Sequence, residues 1–206
     1  MPGPDFHIYL ASASPRRAAL LEQIGVRYCQ IATDVDEQVR LNESAIDYVK
    51  RLALFKAEAA RACLQVSDTH PVIGADTAVV VDGQILGKPL NKEDALDMWS
   101  KLSGRCHEVY TAVALLGKET QIACNISKVC FKKLNLMEQE AYWATGEPRD
   151  KAGSYAVQGL GAIFIERLDG SYSGVMGLPL FETQTLLLGE GIDMLREIKN
   201  IKGTSA

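Results

Sequence analysis

Residues 72–86 read VIGADTAVVVDGQIL, the most apolar strand pattern in the chain followed by a turn signal. The β-branched residues of Val72–Val81 favour an extended strand, and Asp82-Gly83 is a dipeptide typical of a two-residue hairpin turn. We therefore expect the chain to reverse at this dipeptide and to return through Gln84–Leu86 as an antiparallel partner strand.

Further strands and helices are predicted on both sides of this hairpin. Ser14, Pro15 and Gly25 mark a helix, because they suit its N-cap, its first turn and the position past its C-terminus. Apolar residues at helical spacing predict a second helix at 42–63, and Asn91 opens a third. The remaining predicted elements are strands at 7–11, 109–116 and 121–131, helices at 137–145 and after Pro179, and a hairpin of 162–166 and 171–175 around Asp169-Gly170.

The mixture of hairpins and helices defines the expected fold class. Alternating strands and helices indicate an α/β fold, and the hairpins add antiparallel pairs, so we expect a mixed β-sheet flanked by helices. The 206 residues contain no linker-like tract, and 47% of them are hydrophobic. This composition supports a single domain spanning residues 1–206.

Charge and composition exclude several classes of partner. The net charge of −4 argues against nucleic acid or an anionic membrane, because either would require a basic face. Residues 1–6 lack the pattern of a signal peptide and no apolar run approaches the ~18 residues of a membrane span, so we expect a cytoplasmic protein. The five cysteines include no Cys-x-x-Cys pair and are expected to be reduced and mostly buried, with zinc binding as the lesser alternative.

The segment 12–17, SASPRR, places two cations at the start of the first predicted helix. Each opposes the helix dipole by roughly 0.3 to 1 kcal/mol. A bound polyphosphate would reverse that sign, because it would meet free backbone N–H groups together with the side chains of Ser12, Ser14, Arg16 and Arg17. The alternative is that both arginines turn outward and pair with surface carboxylates.

Asp76 is unusual because it lies inside the most apolar strand. A lone buried carboxylate is costly, so a cation, a metal ion or a set of hydrogen-bond donors normally lies beside it. Its altered pKa then suits a general base or a metal ligand. The alternative is an aspartate that only ties down the N–H groups of a neighbouring loop.

Three other features are weaker candidates for the same site. The segment 34–37, DVDE, offers carboxylates for a hard divalent cation, but taken alone it favours a solvated loop. Lys56 and Lys88 could supply point charges for phosphates or lie on the surface. The glycine-rich segment 151–161 could let the backbone approach a flat ligand, with Gln158 able to donate and accept, or could be an ordinary tight loop.

Six segments, in order along nearly the whole chain, resemble the Maf family: LASASPRR at 10–17, GADT at 74–77, GKP at 87–89, SGRCH at 103–107, KAG at 151–153 and GLP at 177–179. Any one would be weak evidence, but six in the right order are specific. The resemblance implies a nucleoside triphosphate pyrophosphatase, with a fold similar to that of the inosine triphosphate pyrophosphatases. It further implies a divalent cation, Mg²⁺ or Mn²⁺, and a homodimer.

The resemblance also implies roles for individual residues. By motif position, Asp76 is the catalytic base, and Arg16, Thr77 and Gln158 are tied to substrate choice. Gln158 followed by Gly159 is similar to the branch that acts on dTTP and UTP. The implied phosphate and metal group is Ser12, Arg17, Glu37, Lys56 and Lys88, with Asp76 sharing the cation with Glu37.

Two alternative functions remain: an unrelated enzyme that cleaves another phosphoanhydride bond, and a nucleotide-binding regulator of cell division and septum formation without turnover. The buried carboxylate of Asp76 argues against the regulator, because a pure binder gains little from a negative charge beside a polyanion.

Overall fold

A seven-stranded mixed sheet forms the centre of the computed structural model, which describes residues 6–197. Its strands are β1 (Ile8–Ala11), β2 (Tyr28–Gln30), β3 (Val72–Val81), β4 (Gln84–Leu86), β5 (Cys106–Leu116), β6 (Thr120–Phe131) and β7 (Ile165–Asp169). The strand order is β2-β1-β3-β5-β6-β7, and β4 pairs with the distal part of β3. Because β1 runs parallel to β2 and β3 while the other pairs are antiparallel, the expected mixed α/β sheet is confirmed.

Helices pack on both faces of this sheet. They are α1 (Pro15–Gln23), α2 (Ala45–Ala62), α3 (Lys92–Leu102), α4 (Leu136–Ala144), α5 (Tyr172–Met176) and α6 (Leu180–Gly189), with 3₁₀ turns at Glu147–Asp150, Ala152–Ser154 and Leu160–Phe164. Polar N-caps fix where several of them begin. The side chain of Asn91 accepts from the backbone N–H of Asp94 at α3, as predicted, and Ser44 and Asn135 do the same for α2 and α4.

A glycine permits the closest contact between helix and sheet. The backbone of Gly74 in β3 lies so near α2 that a Cβ there would stand 2.2 Å from the carbonyl oxygen of Ala53 and 2.7 Å from the backbone nitrogen of Ala57. Only glycine allows this approach without moving the helix. The contact brings Lys56 of α2 directly over Asp76, two residues further along β3.

The predicted hairpin at Asp82-Gly83 is confirmed, and the one at Asp169-Gly170 is wrong. Asp82 and Gly83 both have positive φ, 51° and 74°, as a tight turn between twisted strands requires. Beyond β7, by contrast, residues 172–176 form helix α5. The hydroxyl of Ser171 accepts from the N–H of Gly174, and this local cap favours helix over a returning strand.

The expectation of reduced, mostly buried cysteines is also wrong. Cys106 and Cys130 face each other across β5 and β6 and form a disulfide. Two of the free cysteines, Cys29 and Cys63, are exposed. Within residues 6–197, no helix is long and apolar enough to cross a membrane. The lysine-rich end after Lys199, whose composition predicts a frayed terminus, lies outside the described residues.

The buried imidazole of His107 predicts a loss of stability in acid. Burial lowers its pKa to about 4, and its Nε2 atom lies 2.8 Å from the Tyr155 hydroxyl. The unfolded chain, with a histidine pKa of about 6.5, takes up the proton first, so folding free energy is lost as pH falls from about 6.5 towards 4. Between pH 7.5 and 4.5, the free energy of unfolding should fall in both proteins, and we expect the fall in His107→Gln to be smaller than that in the wild type by about 2 to 3 kcal/mol.

Urea unfolding at the two pH values measures this difference. Other groups titrate equally in both proteins, so they cancel in the comparison. Equal losses in the two proteins would show that the folded imidazole takes up its proton over the same pH range as the unfolded one.

Candidate active site

A cavity of about 380 Å³ opens where β1 ends, a size typical of small-molecule sites. The register of the strands explains its position. The β1–β3 pairing ends at Ala11 and Gly74, and the β3–β4 pairing begins only at Val79 and Leu86. One edge of β3 is therefore free of any described strand between these two pairings, and the cavity occupies this gap.

All ten residues singled out in the sequence line this one cavity: Ser12, Ser14, Arg16, Arg17, Glu37, Lys56, Asp76, Thr77, Lys88 and Gln158. Because side chains alternate along a strand, those of Asp76 and Thr77 project from opposite faces of the sheet. Asp76 meets Lys56 from α2, and Thr77 meets Arg17 from α1. The gap thus gives one ligand access to groups from both faces of the sheet.

The loop between β1 and α1 is organised by Ser12. Its hydroxyl accepts from the N–H of Ser14 at 3.1 Å and from Nη1 of Arg17 at 3.2 Å. Ser14 occupies the N-cap position of α1, as predicted, but its side chain makes no capping hydrogen bond. The N-terminus of α1 therefore faces the cavity with its dipole available to an anion.

Arg17 is held by a chain of hydrogen bonds that sequence reasoning did not foresee. Its Nε donates to the carbonyl of Gly177 at 2.7 Å, and Nη2 lies 3.4 Å from the hydroxyl of Thr77. The Thr77 hydroxyl in turn lies 3.0 Å from that of Thr111, which donates to the carbonyl of Gly174 at 2.8 Å. Since a carbonyl only accepts, Thr77 donates to Thr111 and accepts from Arg17.

The two adjacent arginines have different surroundings. Burial lowers the pKa of Arg17, partly offset by the charge of Asp76. Arg16 instead forms an ion pair with the exposed carboxylate of Asp150 at 3.7 Å. The alternative of outward-facing arginines thus describes Arg16 in part and does not describe Arg17.

A buried ion pair lies on the other face of β3. Nζ of Lys56 is 2.6 Å from Oδ1 of Asp76 and also 2.6 Å from Oε1 of Glu37, and Lys88 approaches Glu37 at 3.6 Å. Burial raises the pKa of Asp76 above its usual value, against the lowering effect of Lys56 and Arg17. Burial also acts to raise the pKa of Glu37, but the hydrogen bond and charge of Lys56 outweigh it, and the net shift is downward.

The carboxylates of Glu37 and Asp76 fit a magnesium ion that is bound jointly with a substrate. Both offer hard oxygen ligands and contact the same ammonium group, so they are close neighbours. No cluster of three or more histidine, cysteine or acidic side chains suited to a metal occurs in residues 6–197. A cation held here would need water and phosphate oxygens to complete its coordination, which is the usual situation for Mg²⁺ in nucleotide sites.

The cavity also has an apolar wall, formed by Val79, Val109, Tyr155, Val157 and Met176. Gln158, next to this wall, is exposed. Such a wall suits the faces of a planar ring, while an amide at its margin can read polar edges.

Sequence reasoning missed several residues of the cavity. Tyr48 lies against it, its hydroxyl donating to the carbonyl of Glu37 at 3.0 Å, and burial with nearby Asp76 raises its pKa to about 12. Its spacing of eight residues from Lys56 could have placed both on one side of α2. Asp150 has no such signal, because it reaches the cavity only through the fold of the 3₁₀ turn.

Comparison with known proteins identifies close relatives. The family model described as Maf-like protein matches residues 7–190. A dTTP/UTP pyrophosphatase of Alkalilimnicola ehrlichii is 51% identical, over 92% of this chain and 96% of the relative. One of Methylobacillus flagellatus is 53% identical, over 90% and 93%. A nucleoside triphosphate pyrophosphatase of Haemophilus ducreyi is 48% identical, over 91% and 97%.

Solved structures show only a partial likeness. The Ham1 protein of Staphylococcus aureus is 19% identical, with a TM-score of 0.44 over 60% of this chain and 71% of that one. A nucleoside-triphosphatase, dITP/XTP pyrophosphatase, of Mycobacterium abscessus is 16% identical, with a TM-score of 0.39 over 62% and 74%. The fold assignment rests on the chain's own strand topology.

The different surroundings of the two arginines predict different costs of removal. Arg17→Ala would leave the Gly177 carbonyl without its donor and should lower the free energy of unfolding, measured without nucleotide, by about 1 to 3 kcal/mol. Arg16→Ala removes one long ion pair to an exposed partner and should change it by less than about 0.5 kcal/mol. Urea unfolding of both variants tests this.

Arg16→Ala is the matched control for Arg17→Ala, because it removes the neighbouring arginine from the same turn. Equal stability for the two variants would contradict the hydrogen-bond chain through Thr77 and Thr111.

Proposed function

The chain belongs to the Maf-like protein family, and we propose that it hydrolyses dTTP and UTP to the nucleoside monophosphate and pyrophosphate. The observation that carries the proposal is the buried Asp76 carboxylate, which lies beside Lys56 in a cavity lined by four further cations, Arg16, Arg17, Lys88 and Lys151. This combination offers a base next to a polyanion site. The cellular role that we propose for this activity is the removal of unwanted nucleotides from the pool.

In the proposed reaction, Asp76 accepts a proton from the attacking water. The water oxygen bonds to the α-phosphorus, and the bond from that phosphorus to the bridging oxygen breaks, releasing pyrophosphate. Lys56 holds Oδ1 of Asp76, which leaves the other carboxylate oxygen for the water. A raised pKa makes this carboxylate a better proton acceptor than an ordinary aspartate.

The cations would hold the triphosphate and stabilise the negative charge that develops on the leaving group. Ser12, Ser14 and the N-terminus of α1 add hydroxyl and backbone donors on the same side of the cavity. Glu37 and Asp76 would hold a divalent cation, Mg²⁺ or Mn²⁺. When bound, that ion neutralises charge on the phosphate oxygens and polarises the phosphorus.

Gln158 would select the base. Its amide can accept from N3–H of uracil or thymine and donate to a ring carbonyl, while the apolar wall holds the ring. Arg16 and Thr77 border the same cavity and would contribute to substrate choice through the phosphates and sugar.

A panel of UTP, dTTP, CTP and GTP with Mg²⁺, assayed separately for pyrophosphate and orthophosphate, tests the proposed reaction. Pyrophosphate release with preference for UTP and dTTP is expected. Tight binding of nucleotide without release of either product would favour the regulator instead, and orthophosphate would indicate cleavage of a different phosphoanhydride bond.

We also propose a cytoplasmic homodimer. Nucleoside triphosphates are made and used in the cytoplasm, and α6 exposes Phe181 and Leu188, seven residues apart on one face, with 82% and 50% of their surfaces accessible. Cell fractionation tests the location, and sedimentation analysis tests the oligomeric state.

Removal of the proposed base should abolish most turnover. Asp76→Asn keeps the side-chain volume, and Lys56 retains Glu37 as a partner, so the fold should survive. We expect kcat for UTP to fall by at least ~100-fold, the usual lower range for losing a positioned base.

Asp82→Asn is the control, because it makes the same change six residues along the chain, in the hairpin turn outside the cavity. Its kcat should stay within a few-fold of wild type. Near-normal activity of Asp76→Asn, with an unchanged circular dichroism spectrum, would remove Asp76 from the mechanism.

Substitution of the proposed base reader should change the ranking of substrates. Gln158→Glu supplies only acceptors, so it should repel a uracil carbonyl and lower kcat/KM for UTP and dTTP by roughly tenfold to a hundredfold. Guanine presents two donors that suit a carboxylate, so relative activity on GTP should rise.

Gln84→Glu makes the same change at an exposed position at the start of β4 and should leave the ranking intact. If all four substrates scale together in Gln158→Glu, then Gln158 does not read the base.

A further inference from the structure

The loop that carries Gln158 is held by two side chains from outside the cavity. This loop, residues 156–161, includes Val157 of the apolar wall and ends in the first two residues of the 3₁₀ turn Leu160–Phe164. Tyr142, in α4, and Glu147, at the start of the turn Glu147–Asp150, lie beneath this loop and contact its backbone. Neither residue lines the cavity.

Four hydrogen bonds link these two side chains to each other and to the loop. The Tyr142 hydroxyl accepts from the N–H of Ala156 at 3.1 Å and donates to Oε1 of Glu147 at 2.7 Å. The carboxylate of Glu147 accepts from the N–H of Leu160 through Oε2 at 2.9 Å and from that of Gly161 through Oε1 at 3.1 Å. The backbone is thus fixed two residues before Gln158 and again two and three residues after it.

The loop also packs directly on the Glu147 carboxylate. A Cβ at Gly159 would lie 2.2 Å from Oε2, so only glycine leaves room for the carboxylate at this point. Burial acts to raise the pKa of Glu147, but the hydrogen bonds from Tyr142, Leu160 and Gly161 outweigh it and the net shift is downward. Glu147 is consequently ionised at neutral pH and can accept all three hydrogen bonds.

We propose that Tyr142 and Glu147 are positioning residues that set base selection by fixing the loop around Gln158. This inference rests on the proposed function, in which Gln158 reads the base. Gln158 can read a base only if its amide stands at a fixed distance from the edge of the ring, and the position of that amide depends on the backbone of the loop that carries it. The clamp of Tyr142 and Glu147 supplies that constraint without touching the substrate.

Glu147→Gln provides the sharpest test. The amide keeps the volume but replaces one acceptor oxygen with an NH₂ group, which would face a backbone N–H of Leu160 or Gly161 or the hydroxyl of Tyr142. We expect the ratio of kcat/KM for UTP over CTP to fall about tenfold, while pyrophosphate remains the product. Amide hydrogen exchange in 156–161 should become at least tenfold faster.

Glu138→Gln is the matched control. Glu138 lies in α4 with Tyr142, accepts from the backbone N–H of Asn135 at 3.0 Å and pairs with Lys132, and its carboxylate forms no hydrogen bond with residues 156–161. Its substitution should lower thermal stability without changing the UTP to CTP ratio or the exchange of 156–161. Tyr142→Phe serves as the second clamp variant if Glu147→Gln does not fold, and it should shift the same two readouts in the same direction.

The clamp is wrong if exchange in 156–161 is unchanged in the clamp variants, or if kcat/KM for all four nucleotides falls by one common factor. Exchange is read without substrate, so it separates this outcome from a failure of the proposed function, which would appear as wild-type protein that releases no pyrophosphate. Parallel measurement of Gln158→Glu shows whether the amide itself reads the base. A changed ratio in Gln158→Glu with an unchanged ratio in Glu147→Gln would overturn the clamp alone.

Discussion

The ion pair between Asp76 and Lys56 is the interaction on which the rest of the site depends. A carboxylate inside an apolar strand is costly unless a positive charge meets it, and Lys56 does so at 2.6 Å. That distance is possible only because Gly74 lets α2 approach β3 without a side chain between them. One glycine in the sheet therefore determines where the charged groups of the cavity stand, and Glu37 joins them through the same ammonium group.

The strand register explains why this buried pair is still open to a ligand. Interior strands normally have neighbours on both sides, which would bury the edge of β3 completely. Here β1 stops at Ala11 and β4 begins pairing at Val79, so the segment between them borders the cavity. A chain with net charge −4 thus places five cationic side chains around one gap, so its positive charge is local.

Local sequence signals predicted much of this arrangement. Hairpin chemistry at Asp82-Gly83 and the cap at Asn91 placed β3, β4 and α3, because such signals act within a few residues. The second hairpin failed because the Ser171 cap competes with strand pairing, and the Cys106–Cys130 disulfide could not be foreseen because it depends on the register of β5 and β6.

In the candidate site, too, local sequence signals could be recognised, whereas features that depend on tertiary contacts could not. All ten expected residues line one cavity. Asp76 and the two arginines drew attention because their charges conflict with an apolar strand or a helix N-terminus, whereas Thr77, Glu37, Lys56, Lys88 and Gln158 were assigned from the resemblance of their segments to the Maf family. Residues that act through tertiary contacts had no such mark in the sequence. Thr111 reads as an ordinary strand residue, and Glu147 reads as an ordinary turn residue. Their partners are distant in sequence or are backbone atoms, and neither kind of contact leaves a pattern in the residues themselves.

The two parts of the cavity differ in how they are held in place. The groups proposed to carry out hydrolysis are fixed differently from the residue proposed to select the base. Asp76 and Lys56 belong to a strand and a helix packed in the core, whereas Gln158 belongs to a loop held by side-chain hydrogen bonds. Arg17 connects strand β3 to a further segment, the one after α5, because it donates to Thr77 and to the carbonyl of Gly177. A shift of that segment would move the guanidinium group, and with it the phosphates that we propose it holds, while leaving the ion pair of Asp76 in place. The proposed base selection by Gln158 can therefore change through the loop without any change in the groups proposed to carry out hydrolysis.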